Sequence, residues 1–71
     1  LCYQAIITCL GRLRSTIVSY AELAGTMEAG AEREQILDYA QDLARQAKVV
    51  EELCNRRCGS SRCSAGGGAG A

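Results

Sequence analysis

The sequence predicts an all-α fold, two helices packed as an antiparallel hairpin and followed by a glycine-rich tail. Three observations predict it. Two stretches carry apolar residues at unbroken heptad spacing, a short link with two glycines separates them, and the chain of 71 residues has no proline to interrupt a helix.

The first stretch reads Tyr3, Ile6, Leu10, Leu13, Ile17, Tyr20, Ala24, Met27, with alternating steps of three and four residues. Such spacing places the side chains in one stripe along a helix, expected over residues 1–24. Ile7 and Val18 lie beside the stripe and widen it. Gly11 disfavours helix by about 1 kcal/mol relative to alanine, but a small residue also lets a neighbouring helix come close. Tyr3 and Tyr20 fall on the stripe and read as core residues with the hydroxyl at the edge.

The second stretch reads Ile36, Ala40, Leu43, Ala47, Val50, Cys54, again in steps of four and three. A helix is expected over residues 31–57, flanked on the stripe by Leu37, Ala44 and Leu53. Glu32, Glu34 and Asp38 crowd its start and Arg56 and Arg57 its end, the polarity that complements a helix dipole. Asp42 can reach Arg45, and Lys48 can reach Glu51 and Glu52, at helical neighbour spacings. Gly59 after Cys58 is a plausible stop, since glycine accepts a positive φ. The link from Gly25 to Gly30 is short, and short links join antiparallel neighbours.

The expected organisation is therefore a hairpin over residues 1–58 and a disordered tail of Gly, Ser and Ala over residues 59–71. Helices of this length span about 40 Å, and each stripe is wider than one seam. A lone pair leaves part of both stripes wet, so a helical protein partner or self-association is expected, in a larger bundle or with a second copy. The residues expected to form the packing seam are Ile6, Leu10, Leu13, Ile17, Tyr20, Ile36, Leu43 and Val50.

Composition narrows the function. The formal net charge is zero, which offers no global attraction to nucleic acid or anionic membrane. The apolar run at residues 5–10 is too short to span a bilayer and lacks preceding basic residues. Histidine is absent, which removes Ser–His and Cys–His nucleophile pairs and mixed Cys/His zinc sites. Glu51 and Glu52 are adjacent in a helix and diverge, so they form no acid–base pair. Arg56, Arg57 and Arg62 read as a solvated helix end. No catalytic residue and no cofactor is expected, and an enzyme is the least favoured class. The chain begins with Leu1 rather than Met, which fits a fragment or a processed product.

The five cysteines are Cys2, Cys9, Cys54, Cys58 and Cys63. A turn near Glu28 sets Cys2 opposite Cys54, with Cys58 one turn beyond and Cys9 set apart. Three readings are open. Cys2 bonds to Cys54 or Cys58 and ties the helix ends; Cys2, Cys54, Cys58 and Cys63 hold a zinc ion; or the thiols stay reduced and pack as small apolar groups.

One family resemblance attaches to these residues. The run from Cys2 through Ala5 to Leu10 and Leu13 resembles the C-terminal regulatory region of fungal zinc-cluster transcription regulators of the aflatoxin-regulator type. So does Ile36-Leu37 followed by a polar helical stretch and then Val50, Leu53, Cys54 and Cys58. The six-cysteine DNA-binding cluster of that family is absent here, as is the apolar helix expected after the cysteine pair. The resemblance implies a nuclear fragment engaged in transcription regulation that does not itself contact DNA. The leading expectation is thus a non-enzymatic helical interaction module. The alternatives are a secreted, disulfide-stabilised helical protein, extracellular if the cysteines are oxidised, and a small zinc-binding adaptor.

The seam assignment has a direct consequence. Leu13→Asp places an unpaired charge on the stripe, at a cost of several kcal/mol, and unfolds or dissociates the protein, whereas Arg62→Ala leaves thermal melting unchanged. Equal shifts for the two variants would mean that the core lies elsewhere.

Overall fold

The computed structural model describes residues 3–59 and 63. Helix α1 runs over Gln4–Gly25 and helix α2 over Ala31–Cys58. Leu1 and Cys2, where the first helix was expected to begin, lie outside the described residues. No strand occurs among the described residues. The two helices pack antiparallel, so the molecule is an all-α hairpin.

The helix ends follow from local chemistry. Neither N-cap residue, Tyr3 for α1 or Gly30 for α2, supplies a side-chain cap. Main-chain bonds close the first turns instead: Ile6 N–H donates to the Tyr3 carbonyl at 3.0 Å and Glu34 N–H to the Gly30 carbonyl at 3.1 Å. Glu32 and Glu34 in the first turn of α2 and Arg56 and Arg57 in its last turn oppose the helix dipole. Helix α1 has no basic residue in its last turn. Arg33 compensates from the other helix, its Nε donating to the Ala24 carbonyl at 3.2 Å. Thr26 Oγ1 donates to the Leu23 carbonyl at 2.7 Å, so two carbonyls that the ending helix would orphan are satisfied. Gly59 ends α2 with a φ of 88°, a conformation that glycine adopts without a Cβ clash.

The register of the hairpin is fixed by four cross-helix contacts. Arg33 reaches Ala24 beside the turn. Tyr20 meets Tyr39 with ring centroids 6.3 Å apart and planes tilted by 53°. Farther along, Arg14 pairs with Glu51. At the open end the Arg57 guanidinium lies 6.0 Å from the centre of the Tyr3 ring. Each step back along α1 to its N-cap Tyr3 is matched by a step forward along α2, as antiparallel packing about the link at residues 26–30 requires.

The stripes face each other. Leu10, Ala24, Ala47 and Cys54 are buried, and Ile6, Leu13, Ile17, Tyr20, Ile36, Leu43 and Val50 are half-buried. Tyr3 departs from the expectation of a core residue: it precedes the helix and is 46% exposed, with the Arg57 guanidinium over its ring. Val18 beside the first stripe is exposed as well. The molecule measures 45 × 22 × 15 Å. Among the described residues each stripe faces one partner helix, and most of the seam stays half-covered.

The tail departs from expectation at one point. Cys63, expected to be disordered, is helical and 1% exposed, within the same buried cluster as Leu10, Ala47 and Cys54. The rest of the tail, residues 60–62 and 64–71, lies outside the described residues.

Burial at the seam sets the energetics of substitution. Leu10→Ala empties the most completely enclosed leucine and should cost about 2–4 kcal/mol, while Val18→Ala on the exposed flank should change stability by less than about 0.5 kcal/mol. Chemical-denaturation midpoints of the two variants measure the contrast.

Candidate functional site

The chemistry of the hairpin concentrates at its open end, where Cys54, Cys63 and Arg14 converge. Cys54 lies on the α2 stripe, in the last turns of the helix, and is fully buried. Gly59 caps the end of α2, and Cys54 is bonded to Cys63 with a Cα separation of 6.0 Å. This geometry lies within the range that disulfides require. Cys58 is disulfide-bonded too. Cys9 is a free, exposed thiol on the outer side of α1.

Three readings of Cys54 are thereby corrected. Cys54 does not bond Cys2, because Cys63, nine residues downstream, occupies its sulfur. The link between Cys54 and Cys63 closes a local loop and does not join the two helix ends. A reduced, packed thiol at Cys54 and a zinc set that includes both Cys54 and Cys63 are excluded by the same bond, since it consumes both sulfurs. The expected proximity of Cys2 to Cys58 falls on a residue outside the described ones. Among the described residues, no group of three Cys, Asp or Glu side chains is placed to hold a metal ion.

Arg14 organises the approach of the returning chain. One guanidinium nitrogen, Nη1, donates to the Cys63 carbonyl at 2.9 Å. The other, Nη2, donates to Glu51 Oε2. A planar fork can serve two acceptors at once, which a lysine ammonium does less well. The pair is partly solvated, with the Arg14 side chain 26% and the Glu51 side chain 44% exposed. Its net contribution is therefore that of a surface pair, about 0.5–1 kcal/mol. The pairing of Glu51 with Arg14 differs from the expected reach of Lys48. No ion pair of Lys48 with Glu51 or Glu52 occurs among the described residues, whereas Asp42 and Arg45 do pair.

Arg14 and Cys63 carry weight that the sequence pattern did not reveal. Arg14 sits one position beyond the α1 stripe, where arginine normally reads as a solvated flank. Cys63 follows a run of Gly, Ser and Arg that reads as tail. The available signal was the odd cysteine count, which leaves sulfurs beyond one helix-to-helix bond.

On the opposite side of α1, Gln4, Ala5, Thr8, Cys9, Arg12, Leu13 and Thr16 line an open groove of about 560 Å³. Near the turn, Tyr20, Tyr39, Asp42, Leu43 and Gln46 frame a shallower depression. Gln35 Nε2 donates to the Tyr39 hydroxyl at 2.9 Å and steadies that ring. Among the described residues, no helix is long and apolar enough to cross a membrane. No family model, no curated protein and no solved structure matches this chain.

The electrostatic part of the site is open to a double-mutant cycle. Arg14→Met and Glu51→Gln should couple by about 0.5–1 kcal/mol in low salt, and the coupling should shrink in 1 M salt, where the screening length falls to about 3 Å. A zero coupling at low salt would show that water separates the pair in solution.

Proposed function

We propose that the chain is a non-enzymatic, disulfide-stabilised helical hairpin that works as a protein-interaction module in an oxidising compartment. The observation that carries this reading is the buried Cys54–Cys63 bond, together with the bonded state of Cys58. A hairpin with so few buried residues gains most from covalent closure, and small domains of this kind are stapled where thiols oxidise. A disulfide closing a loop this short stabilises by about 2–3 kcal/mol, comparable with the burial of one or two core side chains.

Interaction is supported by what the hairpin leaves outside. Leu23, Tyr39 and Val49 stay exposed, at 46%, 44% and 65%. Ile6, Leu13, Ile17, Ile36, Leu43 and Val50 on the seam are only partly buried as well. The occupant is a helical partner or a second copy of the chain.

The regulatory-region fragment of a fungal transcription regulator is the rival proposal. It shares the interaction role but places the protein in the nucleus, where thiols are kept reduced. A thiol titration of the unreduced, denatured chain separates the two. No more than two of the five cysteines in the sequence should react, Cys9 among them. Reaction of three or more would overturn the stapled reading and favour the nuclear one.

Association has its own test. Light scattering over a dilution series should show a mass above the monomer at high concentration, and Leu23→Lys with Val49→Lys should lower it without loss of helicity. A monomer at every concentration would remove self-association and leave only a different partner.

A further inference from the structure

The two sides of the hairpin differ in charge. Arg14, Ile17, Ala44, Lys48 and Glu51 line one side, where Arg14 pairs with Glu51. The other side carries a second stripe on each helix, beside the buried seam. On α1 it reads Cys9, Leu13, Thr16, Tyr20, Leu23, in steps of four and three. On α2 it reads Tyr39, Asp42, Gln46, Val49, Leu53, in steps of three and four. The stripes share one side, because Tyr20 and Tyr39 meet ring to ring and line a single depression with Asp42 and Gln46. Asp42 is the one charged residue on either stripe, and Leu23, Tyr39 and Val49 are exposed.

Charge is also divided along the length. The half next to the turn, residues 15–47, holds Glu22, Glu28, Glu32, Glu34, Asp38 and Asp42 against Arg33 and Arg45. The open half, residues 3–14 and 48–59, holds Arg12, Arg14, Lys48, Arg56 and Arg57 against Glu51 and Glu52. The turn half is therefore negative and the open half positive.

We propose that a second copy of the chain covers the striped side, turned end for end about a two-fold axis that crosses the helices at mid-length. Two hairpins then form an antiparallel four-helix bundle. The inference rests on the interaction reading above and deepens it, naming the partner, the side and the orientation.

Spacing, symmetry, charge and size all select a copy of the same chain. A helix with two heptad-spaced stripes suits two helical neighbours, as in a four-helix bundle, and among the described residues each helix has one. A second hairpin supplies the other neighbour to both helices at once. A two-fold interface must also be self-complementary. About an axis between Leu13 and Thr16, Leu13 meets Thr16 of the second copy and Cys9 meets its Tyr20. On α2 the same axis passes Gln46, which lies between the Tyr20–Tyr39 and Arg14–Glu51 pairs, so Leu53 meets Tyr39 of the second copy. Turning the copy end for end sets each negative turn half on a positive open half, whereas a copy in the same direction sets like charge on like. Helix α1, with 22 residues, is about 33 Å long. Two helices about 10 Å apart then present a side of about 600–700 Å² in projection, the scale of the about 800 Å² per partner in a stable interface.

The test uses the full, unreduced chain. Sedimentation equilibrium gives the dissociation constant, and nuclear magnetic resonance of mixed isotope-labelled and unlabelled chain gives the contacts between copies. A dimer is expected, with contacts from Leu13 to Thr16 and from Leu53 to Tyr39 of the other copy. Gln46→Lys brings two like charges together on the axis and should raise the dissociation constant at least about tenfold. Gln46 is exposed, so the far-ultraviolet dichroism of that variant should be unchanged. Val18→Lys, at an exposed position off both stripes, should leave the dimer as it is. Contacts from Leu13 to Val49 of the other copy would mean pairing in the same direction and would overturn the proposal. A dimer indifferent to Gln46→Lys would overturn it too, since the interface would lie elsewhere. A monomer at every concentration would overturn it and leave the interaction reading to a different partner, while the thiol count tests the staple separately.

Discussion

Among the described residues, each helix of this hairpin has only one other helix against which to bury its apolar stripe. That constraint governs the rest of the structure. A helix shields its partner along a single line of contact, so a stripe about 100° wide is enclosed at its centre and wet at its margins. The small seam residues Ala24 and Ala47 fit wholly within the contact, whereas Ile17, Leu43 and Val50 project past it and remain half-exposed. With so little enclosed surface, burial alone leaves a narrow margin over the entropy of ordering the chain.

The open end relieves that shortage in a way the turn end does not. At the turn, Arg33 and Thr26 satisfy carbonyls and fix the direction in which the chain reverses. At the open end, Cys63 joins Leu10, Ala47 and Cys54 in one buried cluster. Arg14 ties the three segments together by giving one nitrogen to α2, through Glu51, and the other to the returning chain. Covalent, apolar and ionic contributions thus meet within a few side chains, and the exposed thiol of Cys9 stands outside them.

The functional proposal grows from the same constraint. A molecule that cannot cover its own seam either closes it covalently or offers it to a partner, and this hairpin has features of both. The disulfide favours an oxidising setting. The exposed Leu23, Tyr39 and Val49 favour association with a further helical surface.

The helices, their orientation and their seam were legible in the sequence because each depends on short-range spacing. A step of three and four residues dictates one face of a helix whatever surrounds it, and two glycines around Met27 and Glu28 mark a reversal by their conformational freedom. The stop at Gly59 was legible for the same reason. The pairing of the cysteines was not. Cys54 lies on a stripe that faces α1, so spacing pointed to a partner at the start of the chain, yet its partner is Cys63. That choice depends on the path taken after Gly59, and no periodic pattern encodes it. Nor could spacing show that Arg14, a flank residue by position, would bridge Glu51 and the Cys63 carbonyl, residues 37 and 49 positions away. Local periodicity determined which surfaces meet. The three-dimensional packing alone decided which side chains close the end they leave open, since those contacts depend on distances between segments that the sequence does not measure.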